Sequence, residues 1–391
     1  MNIELVGKFY DNHSLSIINR NLALQLSKLV GKELKLCITA LDGYSPESGV
    51  SKKDVKVLKD LQKVELDKVD VQVRHSYPPI WRWPTSKDTK VVFIQPWEYQ
   101  KAPFEWQYKF ETFADALIVP SNYIANVFGM GGLKPDNLFI VPNGFNESIF
   151  NKNKDNIREH LHPRINPDHF NFVYVGNSQW RKGLDILANT WGKAFKKYDK
   201  ATLIIKDNPK IYGKNNVVNE IIKLQYKTGC SKIVYIDSEL SDLEMAAIYK
   251  ASKVVVHPYR AEGFGMHIQE AVACGCFPII SANGPTEDFI PSDIGLRIAT
   301  SRQSMNVADP NVFALKPGDA TNLMSTHTFY EEPAGDDLLN KIRAVYYSHD
   351  KDKQFFNSLK DYTSQNTWKD VAQEYLNIFK SVSKRTSTVR S

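Results

Sequence analysis

The chain has 391 residues, of which 50 are Lys or Arg and 44 are Asp or Glu, and its formal net charge is +6. This excess is mild for a nucleic-acid-binding protein but compatible with an anionic substrate or an anionic membrane surface. The length predicts two domains, because one hydrophobic core rarely grows much beyond ~250–300 residues. The apolar runs are no longer than a strand, which argues against a membrane-spanning helix, and 42% hydrophobic residues fit a soluble globular protein.

The start of the chain and its cysteines favour a cytoplasmic protein. Residues 1–7 begin a strand at once and lack the pattern of a signal peptide. Among the four cysteines, Cys274 and Cys276 lack the second matching pair of a zinc site, so we expect reduced, mostly buried thiols. The basic end, residues 383–391, is expected to fray, and a peripheral membrane contact is left open.

The first 142 residues alternate predicted strands and helices. The strands are predicted at 3–7, 33–40, 71–75, 91–95, 117–120 and 138–142, and the helices at 15–29, 52–61, 104–113 and 122–128. This alternation is typical of a parallel sheet covered by helices on both faces. Because ligands of such sheets bind beyond the carboxyl ends of the strands, the loops that follow the strands hold the candidate site residues.

The loop after the first strand runs from Gly7 to Ser14. Its one glycine makes only a weak dinucleotide-binding fingerprint. Asp11 or His13 could face a substrate from this loop. The alternative is a helix cap formed by Asn12 or Ser14.

Two later loops are rich in aromatic residues. Residues 77–84 place an arginine between two tryptophans, and residues 95–99 include Gln95, Trp97 and Glu98. Aromatic rings beside hydrogen-bonding groups suit a carbohydrate. The alternative is a hydrophobic cluster packed on the core of the domain.

Residues 151–168 are polar and end with two prolines, which predicts an interdomain linker with a short helix. The alternation then repeats, with strands predicted at 172–176, 203–206, 233–237, 254–257, 277–281 and 296–299, and helices at 184–197, 217–227, 242–250 and 266–274. Closing helices are predicted at 336–348, 353–362 and 368–381. Six strands in each half predict two similar doubly wound domains with a cleft between them.

A strand, a glycine loop and a helix follow one another between residues 254 and 274. Gly263 and Gly265 allow a backbone to approach a ligand closely. The free N–H groups at the start of the helix suit a phosphate. Glu262 precedes the loop and Glu270 lies about one turn inside the helix, where a carboxylate can accept hydrogen bonds from sugar or ribose hydroxyls. A solvent-exposed, purely structural glutamate is the alternative at each position.

A second glycine turn, from Gly176 to Gly183, follows the first strand of the second half. Arg181 and Lys182 lie beside Gly183, and two adjacent cations can donate charge-assisted hydrogen bonds to diphosphate oxygens. The alternative for an isolated Arg-Lys pair is a solvated face.

The Glu-Gly-Phe-Gly sequence from Glu262 to Gly265, with seven residues between Glu262 and Glu270, resembles the signature of the family 4 retaining glycosyltransferases (glycosyl transferases group 1). Three further segments resemble that family in the same order: residues 141–144, 181–183 and 284–287. The resemblance implies an α/β chain of the GT-B fold, with two doubly wound Rossmann-like domains and an interdomain cleft. We extend it to most of the chain.

The resemblance also implies the domain roles. Residues 1–160 would form an N-terminal acceptor-side domain, and residues 161–350 a C-terminal nucleotide-sugar-binding domain. Residues 351–391 would form closing helices that cross back to the first domain and end in the basic tail. Residues 302–333 are long and polar for a compact domain, so we expect an insertion near the cleft.

On this resemblance, Glu270 binds the ribose of a nucleotide, and Glu262 binds the transferred sugar or steadies the loop. Lys182 and Arg181 would stabilise the departing diphosphate. The other donor-side candidates are Gly7, Asn177, Lys206, Tyr235, Gly263, Phe264, Gly265, Met266 and His267. The acceptor-side candidates are His13, Gln95, Trp97 and Glu98.

Two positions depart from the family pattern. Asn177 stands where the family usually has an arginine, so Arg181 would have to supply that charge. Gln95 stands near a position where many members carry a histidine.

The resemblance implies the reaction too. A sugar would move from a nucleotide diphosphate sugar, UDP- or GDP-linked, to a hydroxyl of a glycan, lipid or protein-linked acceptor with retention of configuration. The cationic groups would replace a metal ion, so no metal and no other cofactor is expected. The Asp-x-Asp spacing at residues 350–352 lies in a charged run, and we assign it to a solvated turn.

Two alternatives stay open: a nucleotide-sugar 2-epimerase of the same fold, and a non-catalytic protein that binds sugar nucleotides or glycans. A nucleic-acid-binding module would need a clustered basic face or a known motif, and the sequence has neither.

Overall fold

The computed structural model describes residues 1–31, 34–129, 135–155, 157–209, 219, 221, 223, 225, 229–306, 327–348, 354–359, 362 and 366–385. The chain forms two compact units. Unit 1 comprises Met1–Trp97, Lys101–Gly144 and Asn366–Ser391, and unit 2 comprises Glu98–Gln100 and Phe145–Gln365. The domain limits at residues 160 and 350 stay a prediction.

Unit 1 is built on a parallel sheet with the strand order β2-β1-β3-β4-β5-β6. Its strands are β1 (Asn2–Gly7), β2 (Lys35–Ala40), β3 (Val71–His75), β4 (Lys90–Ile94), β5 (Ala116–Val119) and β6 (Leu138–Ile140). β4 and β5 are buried throughout, as expected for strands covered on both faces. The order reverses between β1 and β3, where Gly7 pairs with His75, and doubly wound sheets bind ligands at such a reversal.

The first helices of unit 1 are α1 (Ser14–Lys28), α2 (Lys52–Gln62), α3 (Phe104–Phe113) and α4 (Asn122–Gly129). In α1 the buried residues Leu15, Ile18, Leu22 and Leu26 recur every three or four positions and form one apolar face. Ser51 caps α2 by accepting a hydrogen bond from the backbone N–H of Asp54. These local signals explain why the helices begin where the sequence predicts them.

Unit 2 repeats the plan with a parallel sheet of order β12-β11-β10-β7-β8-β9. Its strands are β7 (Phe170–Val175), β8 (Ala201–Lys206), β9 (Lys232–Ile236), β10 (Val254–His257), β11 (Phe277–Ser281) and β12 (Leu296–Ile298). Its helices include α5 (Ile157–His160), α6 (Leu184–Ala194), α7 (Asp242–Lys250), α8 (Met266–Ala273), α9 (Gly335–Ser348) and α10 (Gln354–Asn357). The two sheets confirm the predicted α/β architecture of two doubly wound halves.

A hairpin of antiparallel strands, β13 (Thr300–Asn306) and β14 (His327–Pro333), also belongs to unit 2. The sequence predicted an insertion at 302–333 but no strands there. The stretch between the two strands, residues 307–326, lies outside the described residues.

The last helix, α11 (Trp368–Ser383), belongs to unit 1, where it packs against α1. Thr367 caps it by accepting a hydrogen bond from Asp370 N. Gly144 lies so close to Trp368 that an added Cβ would stand 2.7 Å from the indole ring. The helix therefore completes the core of the first unit although it lies at the far end of the chain.

Several predicted elements agree with the structure at both ends: β3, β10, β11, α3 and α7. The helix predicted at 184–197 is wrong in its last three residues, because Phe195 is extended and Lys196 forms a bridge with Cys230. The helix predicted at 353–362 is confirmed only as α10. Most of the helix predicted at 217–227, the Asp-x-Asp segment at 350–352 and the tail beyond residue 385 lie outside the described residues.

Candidate functional site

The glycine loop of unit 2 ends at the start of α8. Gly265 precedes the helix with φ +97°, a left-handed conformation that favours glycine. Glu262 turns back onto this loop, and its Oε1 accepts a hydrogen bond of 3.0 Å from Gly263 N. Phe264 is buried and stacks on Phe289 with ring centroids 4.7 Å apart. The loop is therefore held in shape on both sides of its two glycines.

The cationic turn is a 3-10 turn, Trp180–Lys182, between β7 and α6. Gly183 ends it with φ +70°, and an added Cβ would lie 1.8 Å from the carbonyl oxygen of Pro258. Only glycine fits this conformation and this space. The close approach brings the turn against the segment that leads into the glycine loop.

Lys182 and Glu262 form a buried ion pair between the two loops, with Lys182 Nζ bonded to Glu262 Oε2. The two residues are 8% and 7% exposed. Burial opposes charge on Glu262, but the attraction of Lys182 and then of Arg181 outweighs it and lowers the pKa of Glu262 below its usual value. The two candidates that the sequence placed 80 residues apart thus lie in direct contact as a charged pair.

Arg181 extends from the same turn. Its Nη2 lies 2.9 Å from Glu98 Oε1, and its Nη1 donates to the carbonyl oxygen of Ala261. Glu98 belongs to unit 2 by its contacts. A candidate for the acceptor side and a candidate for the diphosphate are therefore ion-paired in this structure.

Asn177 has a structural partner. Its Oδ1 accepts a hydrogen bond of 2.9 Å from Gln179 N, and its carbonyl oxygen accepts one of 3.1 Å from the buried Tyr174 hydroxyl. Tyr174 Oη also lies 3.4 Å from the carbonyl oxygen of Lys182. Asn177 therefore shapes the turn that presents Arg181 and Lys182, at the position where the family usually has an arginine.

Glu270 is half-buried in α8, and its Oε2 accepts a hydrogen bond of 3.3 Å from Tyr249 Oη. Burial, reinforced by the charge of Asp242, raises the pKa of Glu270 to about 8. A carboxyl group that is costly to ionise is available for hydrogen bonds with neutral hydroxyl groups.

Two histidine rings meet beside the glycine loop. The ring centroids of His257 and His267 are 4.4 Å apart, and His257 stacks on Tyr174 at 4.7 Å. Burial, and then the charge of Lys182, lower the pKa of His267 to about 3, so this imidazole is neutral. His267 Nε2 is buried without a hydrogen-bond partner among the described residues. Its neighbour Met266 is half-buried.

Lys206 and Tyr235 meet at Asp207, at the ends of β8 and β9. Lys206 Nζ donates to the carbonyl oxygen of Asp207 at 2.5 Å, and Tyr235 Oη donates to Asp207 Oδ2 at 2.8 Å. Burial lowers the pKa of Lys206. The side-chain hydrogen bonds of Lys206 and Tyr235 thus converge on one buried aspartate.

Sequence reasoning missed Arg260. This side chain is 5% exposed and forms ion pairs with Asp185 and Glu332. It lies two residues before Glu262, so a position within the signature could have drawn attention to it. Its partner Glu332 lies on the unpredicted hairpin, and no sequence pattern points to that contact.

In unit 1, Gly7 and His13 have local roles. A Cβ on Gly7 would lie 2.3 Å from Asn19 Nδ2 and 2.5 Å from the carbonyl oxygen of His75, so glycine is required there. His13 is the N-cap of α1, and its Nδ1 accepts a hydrogen bond of 3.3 Å from Leu15 N. The cap comes from His13, whereas the sequence had pointed to Asn12 or Ser14.

Gln95 and Trp97 are buried in unit 1, at 2% and 3% exposure. Trp97 Nε1 donates to the carbonyl oxygen of Lys101, and its ring packs edge-on against Trp106 at 5.0 Å. In the loop at 77–84, Trp81 packs on Phe110, whereas Trp83 is 51% exposed. Core packing therefore describes most of this aromatic cluster, whereas Trp83 and also Tyr77, at 44% exposure, are exposed.

No group of three or more His, Cys, Asp or Glu suited to a metal ion occurs within the described part of the chain. Over the same residues, no helix is both long enough and apolar enough to cross a membrane. The described cysteines do not form disulfides: Cys230, Cys274 and Cys276 are buried thiols and Cys37 is half-buried.

Comparison with protein families gives a match to the model of glycosyl transferases group 1 over residues 155–309. That range includes both glycine turns, the Lys182–Glu262 pair and α8. A curated relative, a D-inositol 3-phosphate glycosyltransferase of Corynebacterium aurimucosum, is 27% identical over 150 residues. This match covers 38% of the chain and spans about a third (35%) of the length of the relative.

Solved structures resemble the chain over almost its whole length. A glycosyltransferase of Rickettsia africae matches with a TM-score of 0.67 and 13% identity, covering 98% of this chain and 99% of that one. The Anabaena protein HepE, solved in complex with UDP-glucose, matches with a TM-score of 0.64 and 14% identity, covering 97% and 100%. At such identities the likeness concerns the fold. The predicted resemblance to glycosyl transferases group 1 is thus confirmed over residues 155–309, and the predicted two-domain α/β GT-B fold is confirmed for the chain.

Proposed function

We propose that this protein transfers a sugar from a nucleotide diphosphate sugar to a hydroxyl acceptor with retention of configuration. The observation that carries the proposal is the buried Lys182–Glu262 pair, which joins the cationic turn to the glycine loop at the start of α8. The family match covers these residues. Two relatives are consistent with it, since one is named a glycosyltransferase and the other was solved with UDP-glucose.

The difficult step of such a transfer is the departure of the nucleoside diphosphate, which gathers negative charge as the glycosidic bond breaks. Lys182, Arg181 and the backbone N–H groups near Gly265 would stabilise that charge. Lys182 is fixed by its ion pair with Glu262, so little reorganisation of this side chain is needed. Arg181 would exchange its bond with Glu98 for one with a phosphate oxygen.

Glu270 is assigned to the ribose hydroxyls. Burial and the charge of Asp242 raise its pKa, although Tyr249 Oη donates a hydrogen bond of 3.3 Å to Oε2. Two ribose hydroxyls would add further donors and favour the ionised form. Glu262, His267 and Met266 would contact the transferred sugar or the phosphate, and the neutral His267 offers a nitrogen without a partner among the described residues.

The acceptor would bind at the strand ends of unit 1. His13 lies in the loop that follows β1, beside the reversal of the strand order, which supports this assignment. The acceptor class proposed is a hydroxyl of a glycan, lipid or protein-linked sugar. A metal ion is not required, because the cationic groups would perform its electrostatic role.

The experiment that tests the donor class is thermal unfolding with UDP, GDP, ADP and CMP, each with and without Mg²⁺. A ligand at ~100 times its dissociation constant adds ~2.7 kcal/mol to the stability of the native state, which shifts the midpoint measurably. We expect UDP or GDP to stabilise the protein without Mg²⁺. The absence of a shift with all four nucleotides would contradict the proposal.

Retention is tested separately by NMR of the product. The anomeric proton of the transferred sugar should show the configuration of the donor. An inverted product would contradict the retaining reaction while leaving the donor assignment intact. Conversion of the donor sugar without an acceptor would instead favour a nucleotide-sugar epimerase.

A further inference from the structure

Arg260 makes the densest set of side-chain contacts next to the cationic turn. Its guanidinium group donates five hydrogen bonds: two of 2.8 Å to Asp185, two of 2.7 and 3.0 Å to Glu332, and one of 2.7 Å to the carbonyl oxygen of Trp180. All three of its nitrogens are used. This planar fork between two carboxylates is an arrangement that lysine cannot reproduce.

The backbone of Arg260 makes the same connection. Its N–H donates to the carbonyl oxygen of Arg181 at 2.7 Å, and its own carbonyl oxygen accepts from Glu331 N at 3.0 Å. The turn is therefore bonded to Arg260 through two successive carbonyl oxygens, those of Trp180 and Arg181. On the other side, Arg260 is bonded to β14 through Glu331 and Glu332.

Aromatic packing completes the connection. The guanidinium carbon of Arg260 lies 4.3 Å from the centroid of the Trp180 ring, and Tyr330 of β14 meets that ring edge-on at 4.8 Å. The turn is thus fixed by hydrogen bonds, by charge and by ring contacts from one residue and one hairpin strand. The hairpin is the element that the sequence did not predict.

We infer that Arg260 is a positioning residue for nucleoside diphosphate binding, which fixes the Trp180–Lys182 turn so that Lys182 and Arg181 meet the phosphates. This inference rests on the proposed function. Arg260 has no contact with the nucleotide in this scheme, and it acts through the carbonyl oxygens of the turn. A buried ion network adds little net stability compared with apolar packing, so its expected effect is on geometry.

The turn serves the phosphates, whereas the base and the ribose would be bound elsewhere in unit 2. Loss of the Arg260 contacts should therefore weaken binding of a nucleoside diphosphate without weakening binding of the matching nucleoside. A purely structural arginine would affect both ligands alike.

The variant is Arg260→Lys, and the matched control is Arg297→Lys. Arg297 is a half-buried arginine of the same unit whose guanidinium donates to the carbonyl oxygens of Ile290, Pro291 and Ile294. Both changes remove a fork of hydrogen bonds from the full chain. Binding of UDP, uridine, GDP and guanosine is measured by ligand-observed NMR, which detects millimolar affinities.

We expect Arg260→Lys to weaken binding of the preferred diphosphate about tenfold, which corresponds to ~1.4 kcal/mol, and to leave nucleoside binding within twofold. Arg297→Lys should leave both unchanged. Glu332→Gln, at a half-buried carboxylate, provides a second variant in case Arg260→Lys folds poorly. It should weaken binding of the diphosphate about threefold and leave binding of the nucleoside unchanged.

Equal losses for diphosphate and nucleoside, or no loss for either, would overturn the inference. If the unchanged protein binds neither UDP nor GDP, the proposed function fails instead. If it binds one of them and both variants retain that affinity, the proposed function stands and only the role of Arg260 is wrong.

Discussion

At the carboxyl ends of its strands, unit 2 buries ion pairs, whereas the reversal of the strand order in unit 1 is lined by neutral polar groups. The charged Lys8 and Asp11 in the loop after β1 form a more exposed pair, with Lys8 Nζ 3.7 Å from Asp11 Oδ2. In unit 2 the turns after β7 and β10 bring Lys182 onto Glu262, and Arg260 lies between two carboxylates. Most of these charged groups are buried. Such a surface can recognise a phosphate group, because fixed charges in a poorly solvated site interact strongly.

In unit 1 the reversal between β1 and β3 is lined by Gly7, Asn19 and His75. Asn19 Oδ1 lies 2.8 Å from His75 Nδ1, and Asn19 Nδ2 donates to the carbonyl oxygens of Lys8 and His75. Burial, and then the charge of His13, lower the pKa of His75 to about 3, so the ring is neutral. His75 Nε2 has no partner among the described residues.

The comparison shows that the topology decides where a site forms and the side chains decide what it can bind. Both sheets are six-stranded, parallel and doubly wound. Neutral donors and acceptors suit hydroxyl groups, whereas the charged turns suit a diphosphate. The same fold thus offers two chemically different edges, one in each unit.

Removal of Lys182 should reduce activity more than any of the other substitutions, because Lys182 belongs to the charged turn of unit 2. Lys182→Ala leaves Glu262 as a buried charge without its partner, and we expect kcat to fall about 10²–10³-fold. Lys90→Ala is the matched control, because Lys90 is a buried lysine of unit 1 whose Nζ lies 3.6 Å from Asp115 Oδ1. Turnover per folded molecule, with folding checked by circular dichroism, distinguishes the two variants. Similar losses in both would show that the effect reports stability only.

Gly183→Ala should destabilise unit 2 strongly. The added Cβ would lie 1.8 Å from the carbonyl oxygen of Pro258 at φ +70°, and we expect a loss of ~3 kcal/mol in the free energy of unfolding. Gly229→Ala is the control, since Gly229 has φ +58° but no atom of the described residues lies within 4 Å of an added Cβ. It should lose only ~1 kcal/mol in urea unfolding. Equal losses would mean that backbone conformation alone, and not the close approach of the turn, requires glycine.

Glu270 should make the stability of unit 2 depend on pH. Its pKa is raised to about 8 in the folded protein, so folding favours the protonated form. The stability is therefore full below the unfolded pKa, near 4.5, and falls as the pH rises to about 8. Compared with Glu270→Gln, the unchanged protein should lose about 3.5 kcal/mol of its free energy of unfolding between pH 5 and pH 8, measured by urea unfolding. If the free energies of unfolding of the unchanged protein and of Glu270→Gln differed by the same amount from pH 5 to pH 8, the carboxyl group would not be held in its neutral form.

His75 should give the opposite dependence in unit 1. Its folded pKa of about 3 lies below the usual 6.5, so its contribution is present above pH 6.5 and is lost as the pH falls towards 3. His75→Gln keeps a donor for Asn19. Between pH 7 and pH 5 its free energy of unfolding should fall by about 2 kcal/mol less than that of the unchanged protein. His169→Gln serves as control, because its ring bonds Thr202 in unit 2. If the free energy of unfolding of His75→Gln depended on pH as steeply as that of the unchanged protein, the acid sensitivity would arise from other residues.

Local patterns predicted much of the architecture. The β-branched run before His257 and the alternation of apolar stretches gave β10, β3 and β11 at their observed bounds. The spacing of Glu262 and Glu270 pointed to the glycine loop and to α8. The hairpin of β13 and β14 was not predicted, because its strands are polar and their pairing depends on a partner beyond the intervening segment.

Side-chain contacts were less predictable than elements. Trp97 was placed on the acceptor side from its type and position, yet its indole is buried with its N–H bonded to Lys101. Arg181 and Glu98 were assigned to different sides of the reaction, yet they are ion-paired. A sequence specifies the polarity of a residue, but the direction of its side chain depends on the packing around it.

By itself the sequence determined the parallel α/β plan and the two glycine turns, because periodicity, caps and left-handed glycines act over a few residues. Only the tertiary structure decided that Lys182 reaches Glu262 across 80 positions and that Arg260 joins the turn to β14. Those contacts depend on parallel strands bringing distant loops to one edge of a sheet. The physical reason is that hydrogen bonds and ion pairs act over a few ångströms in space, at whatever separation along the chain.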